Sequence, residues 1–142
     1  MLKLIVGVKG TGKTKTLINM ANSALETVKG CVVVVEKGTK LTHEIKTQAR
    51  LINTEEYGVN DAHMLYGLVA GIYASNYDVS NIFIDSALKI CENDMSEFIK
   101  FVDKADKFCA DRSIELVMTS SIPVESVPEQ LKSYIDWLYG II

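Results

Sequence analysis

An α/β domain with a mainly parallel sheet is predicted by three features of this 142-residue chain. Strand-like apolar runs alternate with segments of helical spacing along its length. The run Val32-Val33-Val34-Val35 is continuous and β-branched, as in a strand covered on both faces. A glycine-rich stretch, Gly7 to Thr14, stands at the first strand-to-helix junction. No internal repeat, low-complexity tract or linker interrupts the pattern, so residues 1–142 read as one domain. Three layers, α/β/α, are expected around five strands, or six if Leu51-Ile52-Asn53 adds an edge.

Leu2 to Val6 reads as a short buried strand entering the glycine-rich stretch. Gly7-Val8-Lys9-Gly10-Thr11-Gly12-Lys13-Thr14 then fits G-x-x-x-x-G-K-[ST] at every fixed position. The pattern has a physical reason. A nucleotide phosphate needs several backbone N–H groups converging on it, which requires glycine where a Cβ would collide. The helix that follows adds its dipole and its unsatisfied N–H groups. Lys13 reaches the β- and γ-phosphates as a point charge, and the Thr14 hydroxyl suits Mg²⁺, which prefers hard oxygen ligands. Gly7, Lys9, Gly10, Thr11, Gly12, Lys13, Thr14 and Lys15 are thus the candidate nucleotide contacts.

Lys15 to Val28 carries Leu17, Ile18, Ala21, Ala24, Leu25 and Val28 at helical spacing, with Gly30 as its stop. Cys31 to Glu36 is the next strand, and Leu41 to Gln48 reads as a short helix. Asp61 to Tyr77 follows as a helix capped by Asp61, with Met64, Leu65, Leu68, Val69 and Ile72 inward. Asn81-Ile82-Phe83-Ile84-Asp85 is an apolar strand ending in a carboxylate. Such an acid sits at the C-terminal edge of the sheet beside the phosphate site, so Asp85 is paired with Thr14 as the Mg²⁺ site. Met95 to Asp111 reads as an amphipathic helix with Phe98, Ile99, Val102, Ala105 and Phe108 inward. Ile114 to Ser120 is a strand, Pro128 to Asp136 a helix, and Trp137 to Ile142 either a last strand or an apolar docking edge.

Formal net charge is −3 with pI about 5.4, which disfavours a nucleic-acid partner. The three cysteines show no C-x-x-C spacing, so zinc is unsupported and a reducing, cytoplasmic setting is expected. No run reaches the roughly 20 apolar residues that span a bilayer, so membrane insertion is not expected. His43 and His63 read as helix-surface residues.

With Gly7–Thr14 and Ile82–Asp85 in place, nearly the whole chain resembles the P-loop NTPases, in the division where an extra strand separates the Walker A and Walker B strands. RecA-like ATPases are its best-known members. The resemblance implies strand order 5-1-4-3-2, with the site at the C-terminal ends of the strands. It implies a glutamate that polarises the attacking water. Ser86 follows the Walker B Asp85 here, so the glutamate of that position is absent. Glu36, ending the second strand, stands where RecA-like members carry theirs; it is either the base or the first solvated residue after a buried strand. Glu55 and Glu56 are weaker alternatives. Thr119 or Ser120 resembles the sensor of the γ-phosphate, the other reading being a strand-end hydroxyl in a turn. Val8 after the first glycine departs from the deviant Walker partitioning ATPases. The chain is also similar to short bacterial P-loop proteins often labelled after twitching-motility ATPases, but lacks the acidic and histidine boxes of the motility enzymes.

The function expected is Mg²⁺-dependent binding and slow hydrolysis of ATP, with Lys13 and Glu36 as catalytic residues, in a switch or assembly ATPase that works with a protein partner or by self-association. ATP is preferred to GTP by resemblance, no N-K-x-D motif being present. A non-catalytic nucleotide-binding module is the alternative. A small-molecule kinase is disfavoured because no arginine-rich lid segment is present. Only Arg50 and Arg112 are available as arginine fingers, and Arg112 starts a strand at the edge away from the site.

Overall fold

A computed structural model describes residues 1–138. Six strands form one all-parallel sheet: β1 (Leu2–Gly7), β2 (Cys31–Glu36), β3 (Arg50–Asn53), β4 (Val79–Ile84), β5 (Glu115–Ser121) and β6 (Ile135–Leu138). Their order is β3-β2-β4-β5-β1-β6. This differs from the expected 5-1-4-3-2. Arg50–Asn53 pairs with β2, Val35 opposite Ile52, and takes the outer edge as a strand of its own. Four helices, α1 (Lys13–Thr27), α2 (Ala62–Ser75), α3 (Ala87–Ile90) and α4 (Met95–Asp111), complete the α/β fold, with short 3₁₀ turns between.

The period-2 alternation of the strands sorts the apolar residues onto two faces. Leu4, Val6, Val33, Ile82, Ile84 and Leu116 point to the side covered by α2, α3 and α4. Ile5, Val32, Val34, Phe83 and Val117 point to the side covered by α1. Helices therefore lie on both faces of the sheet, an arrangement compatible with three layers. The central strands β1 and β4 are buried at every apolar position, with only Lys3 and Ser80 partly exposed near their starts.

Local chemistry sets the helix boundaries. Asp61 and Asp94 cap α2 and α4, their carboxylates accepting from Met64 N at 2.8 Å and Glu97 N at 3.2 Å. Helix α1 starts at Lys13, two residues before the expected Lys15, and Gly30 is not its stop: the chain leaves at Val28 in extended backbone. Gly30 is instead required by close approach, since a Cβ there would lie 2.5 Å from the Asp78 carbonyl. On α2, Met64 is exposed rather than inward.

Two expected helices are absent. Leu41 to Gln48 makes a single turn, Ile45 N donating to Leu41 O at 3.1 Å. The Asn22 side chain then takes the Glu44 carbonyl and the Lys46 N–H, the groups that the next helical turn needs. His43 consequently sits in a turn, whereas His63 does lie exposed on α2. Pro128 to Asp136 forms a 3₁₀ helix only, Glu129–Tyr134, because the chain must enter β6 directly at Ile135 to pair with Leu4. The last strand thus begins at Ile135 and takes in Trp137 and Leu138; the rest of the expected strand or docking edge, Tyr139, Gly140, Ile141 and Ile142, lies outside the described residues. Among the described residues no helix is long and apolar enough to cross a membrane.

Candidate functional site

All strands being parallel, their C-terminal ends share one edge of the sheet. The chain leaves β1 for α1 on one face and leaves β4 for α3 on the other. A crevice opens where the two crossovers part. It holds a cavity of about 570 Å³ lined by the Gly7–Thr14 loop, the Lys40–Leu41 turn, Asp85 to Asn93, and the end of β5. Small-molecule clefts span roughly 300–1,000 Å³.

The loop turns on left-handed glycines. Gly10 has φ 84° and Gly12 φ 97°, conformations that a side chain strains against. Gly12 is the N-cap of α1 and supplies no side-chain acceptor, so the first-turn N–H groups of a 15-residue helix face the crevice without a cap. Lys13 is only 7% exposed, and its Nζ donates to the Val8 carbonyl at 2.8 Å. Thr11 Oγ1 donates to the same carbonyl at 2.7 Å. Burial holds the Lys13 ammonium below its ordinary pKa, against the pull of the Asp85 charge.

Asp85 follows β4 directly. Its Oδ1 accepts from Thr14 Oγ1 at 3.0 Å and from Thr119 Oγ1 at 2.7 Å. Thr119 in turn accepts from the Ser86 N–H at 2.7 Å, with Ser86 itself in left-handed backbone at φ 56°. One carboxylate oxygen therefore gathers hydroxyls from α1 and β5. Ser120, the alternative to Thr119, turns away from the cavity and accepts from Leu88 N at 3.3 Å.

Lys9, Gly10, Gly12, Lys13, Thr14, Asp85 and Thr119 all line the cavity. Gly7, Thr11 and Lys15 belong to the loop and the first turn of α1 but not to the lining. Glu36 is not part of the lining either. It is 3% exposed, so the reading of a solvated strand-end residue is corrected. Its Oε1 accepts from Lys40 N and its Oε2 from Leu41 N, both at 2.8 Å. Burial holds its carboxyl above the ordinary range, more strongly than those two N–H bonds draw it down. Asn53 Oδ1 ties the same loop through Gly38 N at 2.8 Å. Glu55 and Glu56 are exposed in the 3₁₀ turn after β3.

Sequence reasoning missed Lys40, Lys89 and Asn93. They come from a turn, from α3 and from the residue pair Glu92-Asn93, both left-handed at φ 57° and 58°. Nothing in their local sequence marks them; only the topology brings them to the crevice. Arg112 is held at the opposite end of the strands, where its guanidinium lies 3.9 Å from the Phe108 ring and donates to the Phe108 carbonyl at 3.1 Å. Arg50 starts β3 at that same far edge.

No protein-family model matches the chain, and no curated protein matches it significantly.

Proposed function

We propose that the chain binds a nucleoside triphosphate, ATP by family resemblance, together with Mg²⁺, and hydrolyses it slowly as a small switch or assembly ATPase of P-loop type. The observation that carries this reading is the convergence on one cavity of the uncapped α1 N-terminus, Lys13, and the Thr14–Asp85 pair 3.0 Å apart. A phosphate tail takes the N–H groups and the ammonium, which supply positive charge in a partly dry site.

The donor set suits Mg²⁺. Thr14 and Asp85 offer a hydroxyl and a carboxylate oxygen side by side, and Mg²⁺ is ordinarily held by one or two such groups with water and substrate phosphate. When bound, the ion neutralises charge on the phosphate oxygens. Thr119 fixes the Asp85 carboxylate and, through Ser86 N–H, the backbone that follows it.

Hydrolysis moves a water oxygen onto the γ-phosphorus as the β–γ bridge breaks, and a base must hold that water. Glu36 is buried outside the cavity lining and turned to two backbone N–H groups, and both arginines lie at the far edge of the sheet. Intrinsic turnover is therefore slow and open to stimulation by a partner. The same seclusion of Glu36 favours the second reading, a nucleotide-binding module without catalysis.

Single-turnover Mg-ATP hydrolysis by the purified protein tests both. Phosphate release well below about one per second, abolished in Lys13→Ala, is expected. Turnover near that rate without a partner overturns the slow-switch reading. ATP bound but left intact selects the module.

A further inference from the structure

Among the described residues, four lysines but a single carboxylate line the cavity: Lys9, Lys13, Lys40 and Lys89 against Asp85. Lys13 is engaged by the Val8 carbonyl. Lys40 and Lys89 form no ion pair among the described residues, although the Lys40 charge does act on the buried Glu36 carboxyl. Like charges gathered around one cavity repel each other, and that repulsion is relieved by an anion.

The two lysines enter from opposite faces of the sheet. Leu41, next to Lys40, packs in the core under α1. Leu88 and Ile90, on either side of Lys89, pack in the core under α2 and α4. Each lysine is thus fixed at its root by buried neighbours, and both exposed residues line the crevice.

Resting on the nucleotide reading above, we propose that Lys40 and Lys89 are the cations that recognise the terminal phosphate of a triphosphate, so that the cavity tells a triphosphate from a diphosphate within one chain. Glu36 then acts as a positioning residue. Its carboxylate grips the N–H of Lys40 and of Leu41, and so sets where Lys40 stands. This gives the buried Glu36 a role that needs no contact with the reacting atoms. It also supplies positive charge at the phosphate end in a chain whose arginines stand elsewhere.

The test is the ratio of Mg-ADP to Mg-ATP dissociation constants, measured by calorimetry on the full chain. A charge-assisted contact contributes about 1.5–3 kcal/mol, roughly tenfold to a hundredfold in affinity. Lys40→Ala and Lys89→Ala should each lower the preference for ATP about tenfold or more, and Lys89→Arg, which keeps the charge, should retain most of it. Both lysines are exposed, so these variants are expected to fold. Glu36→Gln should lower the ratio as well, and should have no further effect in the Lys40→Ala background. An unchanged ratio in both lysine variants overturns the proposal while the nucleotide reading stands. An additive effect of Glu36→Gln and Lys40→Ala overturns the positioning role. A wild-type chain that binds neither nucleotide removes the nucleotide reading and the proposal with it.

Discussion

Asp85 Oδ1 accepts two hydroxyl hydrogens, and those two bonds hold the loop after β1 to the ends of β4 and β5. Cysteines offer a simpler case of environment deciding behaviour. Burial pushes the Cys91 thiol up to about 12 and the Cys109 thiol up to about 11, while Cys31 is exposed at the start of β2. An aromatic disulfide reagent should titrate one thiol rapidly in the native protein and three in denaturant; two rapid thiols would contradict the structure. The sign for stability follows. The folded state keeps protons on Cys91 and Cys109 that the unfolded chain releases near 9.0, so stability falls as pH rises from there through about 11 and 12. Urea midpoints taken across that range check it. The sequence announced Thr14, Lys13 and Asp85 through motif spacing. It was silent on Lys40 and Lys89, because a side chain's place in a crevice formed by three separate loops is a property of topology. Glu36 was flagged for its position, yet its burial came from the loop folding over it, which strand periodicity does not report.

Elements were legible where one signal dominated. Helix α4 runs Met95–Asp111 as its apolar spacing predicts, with Asp94 as cap. Strand β2 runs Cys31–Glu36 as read. Misreadings fell where tertiary hydrogen bonds outbid local preference: Asn22 ends the turn after Leu41, and pairing with Leu4 cuts the segment after Pro128 to 3₁₀ form. Gly30 shows the same override at one residue. Its neighbours suggested a helix stop, but its requirement is contact with β4, where a Cβ would meet Asp78 O at 2.5 Å and Ser80 Oγ at 2.6 Å. Because one of these neighbours is backbone, Gly30→Ala should destabilise the fold by about 1–3 kcal/mol, read as a lower urea midpoint. A stability equal to wild type would show that the α1–β2 connection is free to shift.

Across the whole molecule, the sheet divides two cores, and the crevice lies where their crossovers part. The segments that follow β1, β2 and β4 and the end of β5 line it, so a ligand there would brace connections from four strands at once. Mg-ATP at about a hundredfold over its dissociation constant should add about 2.7 kcal/mol of stability. For a chain of this length that is on the order of ten degrees in melting temperature. Asp85→Asn should abolish the Mg²⁺-dependent part of the shift and leave the smaller effect of ATP alone. Equal shifts with and without Mg²⁺ in the wild type would remove Asp85 from the metal site. The α/β class was legible from alternation and from the buried β-branched run. Leu51-Ile52-Asn53 was legible as an extra edge strand, and β3 takes that edge; its register was not, since four residues of modest hydrophobicity carry no register information until β2 stands beside them.

The Val8 carbonyl, which accepts from both Lys13 and Thr11, has a consequence for any anion that arrives. An ammonium has three N–H groups, and the Val8 carbonyl takes one of them from Lys13. Two are left for an incoming anion, and the backbone bond fixes where they stand before any ligand arrives. The loop's charge is set in place in advance by its own backbone.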